Sequence, residues 1–241
     1  MATEKRFLDR LKTYLLFAGP TTFVFFTVII LPFLFGVYLT FTNWDGIAKT
    51  YTFVRFSNYA TVVRDRMFWN SFLLTVKYVF YTVLIVNALG FVLAYALTGD
   101  TVRGQNLLRT GFFVPNLIGG IILGLVWRFV FSNVLVFIGR SLKIGPLSYS
   151  WLANPDKAFW TLVIVSVWQY SGYMMIIFIA GLTHIPSELI EAATIDGAGG
   201  FHRLRTIILP LMVPSFIVTV FLTIQRGFMV YDVNLALTQG G

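Results

Sequence analysis

Residues 184–200 read His184-Ile185-Pro186-Ser187-Glu188-Leu189-Ile190-Glu191-Ala192-Ala193-Thr194-Ile195-Asp196-Gly197-Ala198-Gly199-Gly200. Pro186 suits the first turn of a helix, and Glu188 favours its positive N-terminal end. Leu189, Ala192, Ala193 and Asp196 follow helical spacing with Ile185 just before, and Gly197 stops the helix as a C′ glycine does. The pattern predicts a short amphipathic helix closed by a tight turn. Its charged residues are Glu188, Glu191 and Asp196, with no Lys or Arg. A helix resting on lipid headgroups carries a basic polar face, so an acidic one predicts a protein partner. Ala192 and Ala193 let another surface approach closely, and a carboxylate beside them can pair with a partner's Arg.

On either side of this loop the chain is apolar. A membrane-spanning helix needs about 20 mostly apolar residues at about 1.5 Å each. Five segments qualify: 14–41, 69–97, 111–131, 159–182 and 207–228. The polar segments between them, rich in Gly, Pro, Asn, Asp or Arg, cannot sit unpaired in lipid. Composition agrees. The 241 residues are 57% hydrophobic and 12% charged, with mean hydropathy +0.79, about half the charge of an ordinary soluble domain. The expected fold is an all-α integral membrane protein of about five transmembrane helices. Segment 1–13 precedes a transmembrane domain over 14–241, in which 184–206 forms a loop.

The net charge of +8 does not point to nucleic acid. The basic residues lie in short loops and form no stripe, a pattern that fits anionic lipid headgroups. There is no Cys, so disulfides and thiolate metal sites are excluded. The basic start (Lys5, Arg6, Arg10, Lys12) precedes an apolar run too long for a cleavable signal. With the N-terminus inside, the inner segments hold eight basic residues and the outer ones seven. The near tie leaves orientation to the cluster before the first helix, which favours N-inside.

The fourth span carries Ser166, Gln169 and Tyr173 at i, i+3 and i+7, a polar stripe beside Trp168, Tyr170 and Gly172 near the midplane. Two readings fit. Aromatic faces cover the C–H surface of sugars while amides and hydroxyls read their hydroxyl groups; equally, such side chains hold helices together in membranes. Asn87 and Gln225, lone amides in apolar spans, are weaker pathway candidates, and helix–helix bonding suits both better. Lys77, Arg128 and Arg226 fall in the outer halves of their helices. They read first as snorkelling to the interface, and second as lining the outer mouth of a pathway. Pro32, Pro115 and Pro214 kink helices or mark broken ones. His184 and His202 have no metal-ligand spacing, so no metal site and no catalytic residue is expected.

The string Ile185-Pro186-x-Glu188-Leu189-x-Glu191-Ala192-Ala193-x-Ile195-Asp196-Gly197-Ala198, with Leu209-Pro210 closing, resembles the "EAA" loop of binding-protein-dependent ABC importer permeases, in the carbohydrate-uptake branch. Other stretches are similar to the same branch: Phe53-Val54-x-Phe56-x-Asn58-Tyr59, Phe68-Trp69-Asn70-Ser71-Phe72, Arg103-Gly104 with Arg109, Phe113-Val114-Pro115 and Trp127. The ending Tyr231-Asp232-x-x-Leu235-x-Leu237-Thr238-Gln239-Gly240-Gly241 looks like that of maltose-, lactose- and glycerol-phosphate-type first permease subunits. The resemblance covers almost the whole chain.

It implies a type I ABC importer permease fold in a bacterial or archaeal cytoplasmic membrane, with an inward N-terminus and a coupling helix over 186–197. Pro186, Glu188, Glu191, Ala192, Ala193, Asp196 and Gly197 would meet the ATPase. Members of the family continue through at least one further helix, so stopping at Gly241 reads as one helix short of six. The implied partners are a second permease subunit, an ATPase dimer holding ATP and Mg, and an extracytoplasmic sugar-binding protein docking around 43–68 and 132–158. This chain has no GxxxxGK[ST] loop, so it is expected neither to bind nor to hydrolyse ATP itself; the resemblance implies a transport subunit, not an enzyme. The related maltose-type permease binds sugar with the helix that bears Tyr173. Glycerol phosphate is the alternative solute. An ion-coupled secondary transporter needs intramembrane carboxylates, and no Asp or Glu lies within the five spans. A membrane enzyme needs a cluster of titratable groups, and the sequence shows none.

Overall fold

The computed structural model describes residues 12–99 and 103–240. Lys5, Arg6, Arg10 and Gly241 lie outside the described residues. The chain divides into two units, 1–71 and 72–241.

In the first unit, α1 (Gly19–Leu39) is apolar all round and buries none of its residues, as suits a helix in lipid. Its ladder widens into a π turn over Phe26–Ile30, just ahead of Pro32. Proline has no N–H to continue the i→i−4 pattern, and the wide turn absorbs the defect. The chain then doubles back: Asn43 N–H donates to the Thr52 carbonyl at 3.1 Å, and Val54 N–H to that of Phe41 at 2.7 Å. Asn58, in α2 (Ser57–Arg64), donates from Nδ2 to the carbonyls of Thr40 (2.9 Å) and Thr42 (2.8 Å). Asp45 accepts the N–H groups of Ala48 and Ile47, which hold its carboxyl below the ordinary carboxylate value.

In the second unit, the core runs along α6 (Pro155–Thr183), the most buried of the long apolar helices. Helix α3 (Arg66–Thr98) enters this unit and packs on α6 in parallel, Tyr78 meeting Ser166 and Phe91 meeting Phe178. One apolar cluster joins Val79, Leu123, Phe131 and Val163; a second joins Val86, Met174, Phe178 and Met212.

The apolar stretch 111–131 is not one helix. Helix α4 (Gln105–Phe113) passes into a 3₁₀ turn over Val114–Leu117. The chain extends through Ile118 and Gly119, and α5 then runs Gly120–Ser141. Pro115 and the Gly119-Gly120 pair break the ladder where hydropathy counts only apolar side chains. Residues 132–141 are therefore helical, and the polar connector expected over 132–158 shrinks to its second part.

The stretch 207–228 is also interrupted. Helices α8 (Gly200–Leu211) and α9 (Val213–Phe228) meet at 67° beside Pro214. The 16 residues of α9 reach about 24 Å at 1.5 Å each, short of a hydrocarbon core of about 30 Å. Four helices are thus long and apolar enough to cross a membrane, and five if the bent pair counts as one span. Helix α10 (Tyr231–Thr238) lies along α5, where Gly124 faces Ala236 so closely that a Cβ would come within 2.6 Å of it.

The broken span is pinned against α6. A Cβ at Gly172 would land on the carbonyl of Phe112, at the end of α4. Only glycine lets the two backbones meet there. Gly172→Ala is expected to cost about 1–3 kcal/mol by overpacking, read as a lower melting temperature in detergent. Gly111→Ala, with open space around its Cβ, should melt like the parent chain.

Candidate functional site

The 184–200 loop forms α7 (Ser187–Ile195), with Pro186 as its N-cap residue, one position earlier than the first-turn place expected. Gly197 takes φ +79°. The Ala198 N–H bonds the Ala193 carbonyl at 2.9 Å and the Gly197 N–H that of Thr194 at 3.1 Å. This paired closure is the Schellman motif, and its left-handed position suits glycine. Ile185 and Ile190 pack against the Met212 cluster, and Arg203 of α8 donates to Thr194 Oγ1 at 2.6 Å. The helix is thus held on one side. Glu188, Glu191, Ala192 and Asp196 are exposed on the other, while Ala193 is half-buried. Leu189 is 45% exposed and Ile195 86% exposed beside these acids. A rigid helix presenting acidic and apolar groups together suits a protein surface better than water alone.

The stripe on α6 divides into two roles. Ser166 is fully buried and accepts the Tyr78 hydroxyl at 2.7 Å, so it ties α6 to α3. Gln169 donates from Nε2 to the Ile118 carbonyl at 3.1 Å, which caps backbone freed by the break before α5. Its Oε1 is buried without a partner. Trp168, beside the stripe, stacks edge-on against Trp127 and borders a cavity of about 590 Å³ with Leu89, Leu108, Phe112 and Trp160. Apolar walls make that cavity a poor sugar site. Asn87 bonds the Val83 carbonyl (2.8 Å) and Thr223 Oγ1 (3.3 Å), joining α3 to α9, and Gln225 is exposed.

Tyr170 and Tyr173 converge instead on Arg226 of α9. Its guanidinium carbon lies 5.1 Å from the Tyr170 ring centroid and 4.7 Å from that of Tyr173. Its Nη1 donates to Asn116 Oδ1 at 2.7 Å. Arg226 therefore does not snorkel. It is half-buried and turned inward, as charges in spans generally are. Lys77 and Arg128 are engaged too. Lys77 Nζ sits 4.9 Å from the Phe159 centroid, and Arg128 faces the Gln239 amide, whose oxygen, once the amide is turned over, accepts from both terminal nitrogens at 3.2 and 3.0 Å. Asn116 is the residue the sequence reading missed; its signal was a lone amide straight after Pro115 in an apolar run.

Residues 87–241 match the family described as the binding-protein-dependent transport system inner membrane component. The chain is 40% identical to the probable starch degradation products transport system permease protein of Thermoanaerobacterium thermosulfurigenes, over 100% of this chain and 81% of that one. It is 32% identical to the sn-glycerol-3-phosphate transport system permease protein of Brucella abortus, over 86% and 70%. A chain of a bacterial ABC transporter that imports the acidic polysaccharide alginate superposes with a TM-score of 0.77 at 19% identity, covering 97% of this chain and 84% of that one. That likeness shows a shared fold.

The Tyr78–Ser166 bond carries its own expectation. Tyr78→Phe and Ser166→Ala should each destabilise the chain, with a double-mutant coupling of about 0.5–1.5 kcal/mol. Parallel thermal melts of the four proteins measure it.

Proposed function

The chain belongs to the binding-protein-dependent transport system inner membrane components, and we propose that within this family it passes a di- or oligosaccharide across the membrane on energy supplied by a separate ATPase. It is a transport subunit. The observation that carries the coupling reading is α7: a short helix locked at its end by a Schellman turn, anchored by Ile185, Ile190 and Arg203, with its acidic face uncovered. Such a helix moves as a rigid lever when a partner closes on Glu188, Glu191 and Asp196. Segment 1–13 and the 184–206 loop then face the cytoplasm with the ATPase pair, its ATP and its Mg. A sugar-binding protein docks on the opposite side, around 43–68 and the connector after α5. A second permease subunit completes the pathway, and alternating access follows as a population shift between inward- and outward-open forms. The sugar reading draws on the relative named for starch degradation products and on Tyr170 and Tyr173, whose rings suit a pyranose face. Glycerol phosphate is a second reading, favoured by the guanidinium of Arg226.

Glu191→Lys and Gly197→Pro test the coupling role in the assembled importer. Each should lower ATP-driven uptake by about tenfold or more, equivalent to about 1.4 kcal/mol, while membrane insertion stays normal. Parent-like uptake in both variants would remove α7 from that role.

A further inference from the structure

We infer that Arg226 reads a carboxylate on the transported sugar, so that the solute is an acidic oligosaccharide; this rests on the sugar-importer reading above. The guanidinium of Arg226 has five N–H donors, and Asn116 Oδ1 accepts from it at 2.7 Å. The rings of Tyr170 and Tyr173 lie within cation–π reach, at 5.1 and 4.7 Å. No carboxylate stands within ion-pair distance of Arg226 among the described residues.

The cluster therefore orients a cation within the apolar stretch 207–228 and leaves its charge uncompensated by an acid among the described residues. That arrangement is costly in a low-dielectric setting unless something anionic arrives. Reading neutral hydroxyls would not require it, because an amide does so without the charge, and amides are already present on this unit at Asn116, Gln169 and Gln225. A guanidinium held at one edge keeps its remaining N–H groups for bidentate pairing with a planar carboxylate. The two tyrosines beside it supply faces for the sugar ring that bears that carboxylate. Arg128 and Lys77 are arranged differently: one faces the Gln239 amide, whose oxygen reaches both terminal nitrogens once that amide is turned over, and the other lies over a single ring.

The test is initial uptake by the complete importer, with its partner permease, ATPase and binding protein, in proteoliposomes. The probes are trigalacturonate, maltotriose and glycerol 3-phosphate. The parent importer should take up trigalacturonate faster than maltotriose. Arg226→Gln should lower that ratio by about tenfold, about 1.4 kcal/mol, and Arg226→Lys should fall between the two, since it keeps the charge and loses the fork. Asn116→Asp is the second variant. It sets a carboxylate of the chain itself against Arg226 in a side chain of nearly the same shape, and it should lower the ratio likewise without depending on loss of Arg226. Arg128→Gln should leave the ratio unchanged.

A ratio unmoved by both Arg226→Gln and Asn116→Asp overturns the assignment, as does a loss of complex assembly with the ratio intact, which would make Arg226 an assembly contact. Uptake of maltotriose alone overturns the carboxylate reading and leaves the sugar reading standing. Uptake of glycerol 3-phosphate alone overturns both.

Discussion

The close approach of α4 to α6 at Gly172 is the constraint on which the second unit depends. A span containing Pro115 and Gly119-Gly120 cannot stay helical throughout, and broken backbone at membrane depth must be satisfied by protein. Gly172 removes the side chain that would hold the Phe112 carbonyl away. Gln169, one turn earlier on α6, bonds the Ile118 carbonyl beyond the turn. Together they fix where the break lies, and the break fixes Asn116. Asn116 in turn holds Arg226 over Tyr170 and Tyr173. A steric vacancy on one helix thus positions a charge carried by another.

The same unit holds the 184–200 loop by a different device. Helix α7 buries little of its own surface, so its rigidity comes from its ends and its neighbours: a Schellman closure at Gly197, an Arg203–Thr194 bond, and two isoleucines inserted under the Met212 cluster. That cluster also includes Phe178 and Ile179 of α6 and Ile208 of α8. Helix α7 is therefore in packing continuity with the helix whose middle carries Tyr170 and Tyr173. The bend of 67° between α8 and α9 lies on the same route, close to Met212 and Pro214.

Much of this was legible in the sequence where local chemistry decides the outcome. The acidic short helix, its glycine stop and its small residues were readable because capping and spacing are properties of adjacent residues. The long apolar helices α1, α3 and α6 were readable because lipid demands length and hydropathy alone. Boundaries failed at 111–131 and 207–228. Hydropathy scores Pro, Gly and Phe by side-chain polarity and is blind to a missing N–H donor.

The polar stripe shows the limit most clearly. Spacing placed Ser166, Gln169 and Tyr173 on one face of a helix, and it could not say what each would meet. Ser166 met a tyrosine hydroxyl from a residue 88 positions earlier, Gln169 met a backbone carbonyl freed by the break, and Tyr173 met a guanidinium. Arg226 looked like a snorkelling charge because sequence gives depth along one helix and nothing about the neighbours around it. The sequence alone determined the membrane setting, the family resemblance and the short acidic helix over 187–195, since these rest on composition and on contacts between near neighbours. Only the tertiary structure decided which polar residues hold helices together and which gather around Arg226, because that depends on partners brought together by packing from about 50 to more than 100 residues away.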